Sequence, residues 1–502
     1  MSLYPNEHET IEGVGQALRA GRTTCVEVLE KCLDRIEEWE ARIRAWVRVD
    51  RQKAIERARA LDEELAVGRC RGPLHGIPVG IKDIIDVAGL STAAGFEPWA
   101  GRVAGRDCPI VAGLREAGAV ILGKTVTTQF AWVDPPPTKN PWALDRTPGG
   151  SSSGSAAAVA LGMCLGAIGT QTGGSIIRPA SYCGVAGLKP GHGDPDRDEL
   201  EGIVPFAPHL DHPGPIARSV DGLALLFSEF RRDRRDGAAG HDHWPTEAVS
   251  SMVERLVGDG GGPPRLGRVR GFFEDRADSA MRAEFDRALA ALADAGARVG
   301  EALLPFDVPE VLRNHRVIMA FEAAEGHGRR PEEFPDAYQP RILDLLREGR
   351  TISSSEYARC RLHQRLLRGA IEVLSDDEPR PGRRDPNEVE VTRASIDAYF
   401  SARMREAIED LIWGFDALVM PATIGPAPDA STTGDPAFNS PWSYLGSPAV
   451  SFPIGLSPEG LPLALQMVAL GAGRGESDLL ETARWCEGVI RRADRPRSQR
   501  PT

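Results

Sequence analysis

Short apolar runs, each closed off by Gly or Pro, alternate along this chain with stretches of helical periodicity. That alternation restricts the fold more than any other feature. The segment GPLHGIPVGIKDIIDVAG (72–89) suggests a strand leading to Lys82, and AVILGKT (119–125) reads as a buried strand ending at Gly123. ALVMPA (417–422), SPAVSFPIG (447–455) and LPLALQMVA (461–469) read the same way. Between them, Val28, Leu29, Cys32, Leu33, Ile36 and Trp39 recur at helical spacing over 24–46, with Thr23 or Thr24 placed to cap. Further helices are expected near 51–66, 107–118, 279–295, across 308–374, and near 393–413 and 476–491. LGRVRGFF (266–273), the 279–295 helix and ARVGEALLP (297–305) have strand–helix–strand character. The fold class expected is α/β.

Length and charge narrow the function. A single core stops growing near roughly 250–300 residues, so 502 residues imply two domains or one large elaborated one. The balance of 60 basic against 72 acidic residues, net −12, argues against a broad nucleic-acid surface and favours a small-molecule or protein partner. Cysteines at 25, 32, 70, 108, 164, 183, 360 and 486 form no CxxC and no metal-ligand spacing, which suggests reduced thiols in a cytoplasm. The start, MSLYPNEHETIEG, lacks an apolar signal core. The longest apolar run, Ala156 to Ile168, is too short to span a bilayer and reads as a buried helix. No membrane contact is expected. The pair His241 and His243 reads as a charged loop rather than a metal site, and no metal is expected.

Two glycine-rich blocks raise the question of chemistry. TPGGSSSGSAAAVA (147–160) could be a slack loop, an anion cradle or part of a catalytic centre. No Lys-Ser/Thr pair follows, so the P-loop pattern fails, and G-x-G-x-x-G is not present there. His75, His209 and His212 lie in Gly- or Pro-containing stretches, and none is marked out as a triad base. Lys82 sits in an apolar stretch where burial penalises an ammonium, unless its stem packs and its head pairs with Asp83 or Asp86. Ser175 closes TGGS, where Gly173 and Gly174 let backbone N–H groups approach a ligand oxygen.

Lys82, PGGSSSGSAAAVALG, GTQTGGSIIRPASYCGVAGLKP and LDHPGPIARS (210–219) together resemble the amidase signature enzymes, over about residues 10 to 490. GPLHGIPVGIKD, KNPW, FNSPWSYLGSPAVSFPIG and GLPLALQMV extend the resemblance. It implies a central mixed, twisted sheet covered by helices on both faces, in one domain over 1–495. Its parts would be N-terminal helices (1–66), a catalytic core (67–230), a variable, largely helical substrate-side region (231–400) and a return to the core sheet (401–495), with a disordered tail at 496–502. It implies a Ser–cis-Ser–Lys triad: Ser175 as nucleophile, Ser151 as the cis-serine relay and Lys82 as base. The N–H groups of Thr172, Gly173, Gly174 and Ser175 would form the oxyanion hole, with Ser152 and Gln171 in support. A lysine of ordinary pKa, about 10.4, is neutral in fewer than about one molecule in a thousand at pH 7, so burial must lower it before it can serve as a base. One oxyanion donor is worth roughly 3–4 kcal/mol in other enzymes. No cofactor is implied.

The chain departs from the pattern after the nucleophile. Many relatives carry Asp four residues before it and Arg two after it; here these are Gln171 and Ile177, with Arg178 one further on. Losing both partners of an ion pair leaves no lone charge, and Gln171 is expected in a neutral hydrogen-bond network. GHGDPDRDELEGIVPF (191–206) replaces a shorter turn, and SDDEPRPGRRDPNE (375–388) reads as a mobile loop. The resemblance points to Gln129, Phe130, Trp132, Phe438, Asn439 and Trp442 as substrate-binding, with sparse charge that suggests a neutral or aromatic acyl group. The expected function is hydrolysis of a C–N bond in a carboxamide, anilide or carbamate, with a small-molecule amide and water as partners, no nucleic acid, and a homodimer as the oligomer the family suggests. Two alternatives stand beside it. One is the ammonia-releasing A chain of a tRNA-dependent amidotransferase, which takes ammonia from glutamine, although WVDPPP (132–137) does not resemble the corresponding stretch of those proteins. The other is a catalytically silent scaffold of the same fold.

Overall fold

Thr24 opens the first long helix. Its side chain accepts from Glu27 N while Glu27 reaches back to the Thr24 backbone, a reciprocal cap that fixes the start of Cys25–Ile43. The apolar stripe read from the sequence then faces inward, with Val28, Leu29, Cys32 and Leu33 buried. The computed structural model describes residues 3–4, 9–192, 200–230, 244–245, 250, 253, 257, 261–375, 393–471 and 475–494. His241 and His243, residues 193–199, residues 376–388 of the charged loop and the tail 496–502 lie outside the described residues.

Eleven strands form one sheet: β1 (Trp46–Val49), β2 (Pro78–Lys82), β3 (Val120–Thr125), β4 (Gly166–Gln171), β5 (Ala186–Lys189), β6 (His212–Ala217), β7 (Arg265–Val269), β8 (Arg298–Ala302), β9 (Ala417–Pro421), β10 (Ala449–Leu456) and β11 (Pro462–Val468). Their spatial order is β1-β3-β2-β4-β6-β5-β10-β11-β9-β7-β8. β3, β2 and β4 run parallel, as do β9, β7 and β8, and the pairs between these two blocks are antiparallel. The sheet is therefore mixed, flanked by helices, and continuous from the front of the chain to its back. Strands β2 to β6 and β9 are buried at every position, as expected of a sheet covered on both faces.

Two expectations need correction. The run Ala156–Ile168 is not one helix. The helix Ser153–Ala160 stops, Gly162 takes φ +68°, and β4 begins at Gly166. Both halves are buried, so apolarity alone carried no sign of the switch. The helix near 393–413 is two, Arg393–Tyr399 and Ala402–Gly414, separated where Ser401 caps the second through Met404 N. All eight cysteines are free and buried. Among the described residues no helix is long and apolar enough to cross a membrane.

Candidate active site

Parallel strands finish at the same end of a sheet, and that is how two distant segments meet. β2 and β4 are neighbours with Ile81 opposite Ile168, so Lys82 and Thr170 arrive side by side. Lys82 is fully buried. Its Nζ donates to Ser151 Oγ at 2.7 Å, to Thr170 Oγ1 at 2.8 Å and to the Thr170 carbonyl at 3.4 Å. Burial pushes its amine well below the usual lysine range, and the more distant Asp211 carboxylate opposes that shift. A neutral amine beside a serine hydroxyl can accept a proton from it.

The serine block is held in place by its own backbone. The Gly150–Ser151 peptide is cis. Gly149 has φ +79°, and a Cβ there would come within 2.7 Å of Pro179 Cα, so only glycine fits. Ser152 N donates to the Ser175 carbonyl at 3.2 Å, which ties the serine block to the second glycine loop. Ser152 Oγ donates to the Thr170 carbonyl at 3.2 Å. Ser153 and Ser155 bond to Gly149 O and Thr125 Oγ1, inside the protein.

Residues 172–175 form a loop pinned from three sides. Thr172 Oγ1 donates to Asp211 Oδ1 at 2.5 Å, His315 Nε2 bonds the Thr172 carbonyl at 3.0 Å, and Ser443 Oγ donates to the Gly173 carbonyl at 3.3 Å. Burial pushes His315 down to about 4, so at neutral pH it is an uncharged imidazole, with Nε2–H as the donor. Burial pushes Asp211 up to about 6, against bonds from Thr172 and from the amides of Phe206 and Ala207. Gln171 Oε1 accepts from Ile176 N at 3.0 Å and Ile177 N at 3.1 Å, and its Nε2 donates to Ser443 Oγ at 3.2 Å, a network with no net charge. The loop's carbonyls and the Thr172 side chain are thus engaged. The amides of Gly173, Gly174 and Ser175 donate to no acceptor among the described residues.

Those amides and Ser175 line a cavity of ≈ 230 Å³. Trp132 and Phe206 stack on each other in its wall, at 5.6 Å between ring centroids. Leu312, His315, Arg316 and Met319 enter from the helix Val308–His327 at one-face spacing. Pro436, Ala437 and Ser440 close another side. The lining is not as charge-poor as the sequence suggested, because Arg178, Arg316 and Asp435 all contribute.

Of the six residues expected to bind substrate, Trp132 lines the cavity. The other five sit elsewhere. Gln129 bonds Gly95 O, Ala337 O and Gln339 N, and so fastens two segments together. Phe130 packs in an aromatic cluster with Phe96, Trp99, His327 and Tyr338. Phe438 and Trp442 pack on Phe273 in the core, with ring centroids at 5.3 and 5.9 Å. Asn439 stands behind the glycine loop: its Nδ2 donates to Ala422 O and Gln466 Oε1, and a Cβ at Gly174 would lie 2.6 Å from its Oδ1. Sequence reasoning does not find Thr170, Asp211, His315 or Arg316. The spacing of Leu312, His315, Arg316 and Met319 is visible in sequence, but nothing there ties that helix face to Ser175.

Comparison with known proteins identifies the family and the fold. A family model described as Amidase matches residues 27–473. The A chain of the glutamyl-tRNA(Gln) amidotransferase of Geobacter sp. (strain M21) is 32% identical over 499 residues, covering 94% of this chain and 96% of that protein. Its counterpart in Carboxydothermus hydrogenoformans is 38% identical over 312 residues, covering 61% of this chain and 62% of the relative's length. Among solved structures, the peptide amidase from Stenotrophomonas maltophilia superposes with a TM-score of 0.73 at 28% identity, covering 96% of this chain and 97% of that one. A protein from a vestigial complex bearing on the origins of an s-triazine catabolic enzyme gives 0.78 at 26%, covering 97% and 98%.

Proposed function

The chain belongs to the amidase signature family, and from that premise we propose that it breaks a carboxamide C–N bond through an acyl-enzyme on Ser175. One observation carries the reading: a fully buried Lys82 amine, 2.7 Å from Ser151 Oγ, whose direct side-chain partners are hydroxyls. Ser175 Oγ attacks the amide carbonyl while its proton passes by way of Ser151 to Lys82. The oxyanion forms against the unengaged amides of Gly173, Gly174 and Ser175. As the C–N bond breaks, the proton returns through Ser151 to the leaving nitrogen. Water then attacks the ester, giving up its proton by the same route, and the carboxylic acid leaves. The cavity of ≈ 230 Å³ falls below the roughly 300–1,000 Å³ of drug-sized sites, which favours a small substrate.

A second reading is favoured by the relatives. Proteins named as glutamyl-tRNA(Gln) amidotransferase A chains align over most of this chain. On that reading the released nitrogen is ammonia from glutamine, handed to a partner protein that modifies a tRNA-bound amino acid. It would widen the partner set beyond a small amide and water, against the expectation of no nucleic acid. The two are separated with the purified chain alone. A fluorophosphonate probe is expected to label Ser175, and a panel of small primary amides to be hydrolysed without additional protein. An unlabelled Ser175 in folded protein would sink both readings. A labelled chain that is idle on every amide, and releases ammonia from glutamine only when partner proteins are added, would establish the second.

A further inference from the structure

His315 stands in the cavity wall but comes from outside the two glycine-rich blocks, on the helix Val308–His327. It is buried, and its Nε2 bonds the Thr172 carbonyl at 3.0 Å. A carbonyl can only accept, so Nε2 carries the hydrogen and has no lone pair left to take a proton. Through that atom the ring is no rival base to Lys82.

What this bond does is felt on the other side of the peptide. In a trans peptide the carbonyl and the following N–H share one plane and point in opposite directions. Among the described residues the cis bond is Gly150–Ser151, so the Thr172–Gly173 and Gly173–Gly174 peptides are trans. A hydrogen bond that holds the Thr172 carbonyl therefore fixes the direction of the Gly173 N–H. Ser443 does the same one peptide later. Its Oγ accepts from Gln171 Nε2 at 3.2 Å and donates to the Gly173 carbonyl at 3.3 Å, which fixes the Gly174 N–H. With no side chain at 173 or 174 the backbone has few restraints of its own, so its direction must be set from outside.

The helix that carries His315 is itself held. Two turns further on, Glu322 accepts from His209 N at 3.2 Å and bonds His209 Nδ1 at 2.8 Å, close in sequence to Asp211, which holds Thr172 Oγ1. On another side, a Cβ at Gly349 would come within 2.0 Å of the Ala320 carbonyl, so the helix Pro340–Thr351 packs against it backbone to backbone. We propose that His315 is a positioning residue, which aims the Gly173 amide at the oxyanion by holding the far end of the same peptide. This rests on the acyl-enzyme reading. It assigns part of the oxyanion geometry to a helix that also shapes the substrate cavity. Oxyanion donors act on charge that develops in the transition state, so a mis-aimed amide costs rate and not ground-state binding.

The test follows fluorophosphonate labelling over a range of probe concentrations, which separates reversible binding of the probe from the bond-forming step. In that step Ser175 Oγ bonds to phosphorus, fluoride leaves, the serine proton departs by way of Ser151, and negative charge builds on the phosphoryl oxygen. His315→Leu removes the donor at nearly constant volume. It is expected to slow bond formation about 10- to 100-fold with reversible binding of the probe unchanged. His315→Gln, whose side-chain N–H reaches the place of Nε2, should regain most of the rate. His315→Asn, one bond shorter, should not. Gln and Asn carry the same group, so that pair decides the matter even where leucine disturbs folding. Labelling of His315→Leu at the wild-type rate would overturn the proposal. So would Gln and Asn slowed alike, which would leave His315 as a packing residue of the cavity wall. A wild-type Ser175 that resists the probe would instead bring down the acyl-enzyme reading, and the proposal with it.

Discussion

Lys82 and Lys124 are the same residue type in adjacent strands, with Lys82 opposite Thr125 in the register, and they stand in opposite surroundings. Both are buried, at 0% and 1% exposure. Lys124 Nζ lies 3.1 Å from Asp83 Oδ1 and also bonds Ser91 O and Thr92 Oγ1. Lys82 has hydroxyls and a carbonyl instead. Burial pushes both amines down, but at Lys124 the neighbouring Asp83 opposes it at ion-pair distance, whereas at Lys82 the opposing charge, Asp211, is farther off. What separates a proposed base from a structural cation is therefore one carboxylate. Asp83, a possible partner for Lys82 on sequence grounds, is taken by Lys124.

Breaking each lysine should separate activity from stability. Lys82→Ala is expected to lower the rate of Ser175 acylation by about 10²–10⁴-fold or more with the fold retained, the contribution of a positioned general base. Circular dichroism with phosphonate labelling measures both, and full retained labelling would refute the role. Lys124→Met should do the reverse, costing about 3–5 kcal/mol in denaturant unfolding because Asp83 is left buried without its partner. Adding Asp83→Asn should recover part of that loss. A Lys124→Met protein of unchanged stability but no activity would reverse the assignment.

How much of this could be read from the sequence follows the same division. Lys82 stood out in the sequence as a cation in an apolar strand, whereas the glycine-rich serine run alone reads as a loop, and the choice of Ser151 and Ser175 came from the family resemblance. Gln171 was legible as a neutral network because its charged alternatives were missing together. The cavity wall was not legible. Phe130, Phe438 and Trp442 are aromatic letters, and burial in a core and burial in a site favour the same letters. His315 and Arg316 lie more than a hundred residues from Ser175, and only the packed helix brings them to Thr172. Arg178 was visible as a displaced letter, but its burial, its unmet donors and its place in the cavity wall were not. The helix–strand switch inside Ala156–Ile168 was hidden because both elements are buried on all sides.

The smallest effect gives the finest test of the comparison. Lys82 has a folded pKa well below the ordinary value of about 10.4, so between those two pH values the unfolded chain holds a proton that the folded chain does not. Stability rises with pH wherever the unfolded state binds more protons, so Lys82 penalises folding most at low pH and ceases to do so near pH 10. Lys82→Met removes that penalty along with the bonds to Ser151 and Thr170. Its absolute stability mixes the two effects, but only the penalty depends on pH. The difference in unfolding free energy, Lys82→Met minus wild type, should therefore fall steadily as pH is raised through the window below about 10.4. In the wild type the acylation rate should climb in the same direction, as the folded-state amine loses its proton. A pH-independent difference would mean that Lys82 is charged in the folded protein, as an ion-paired lysine is, and the contrast with Lys124 would collapse.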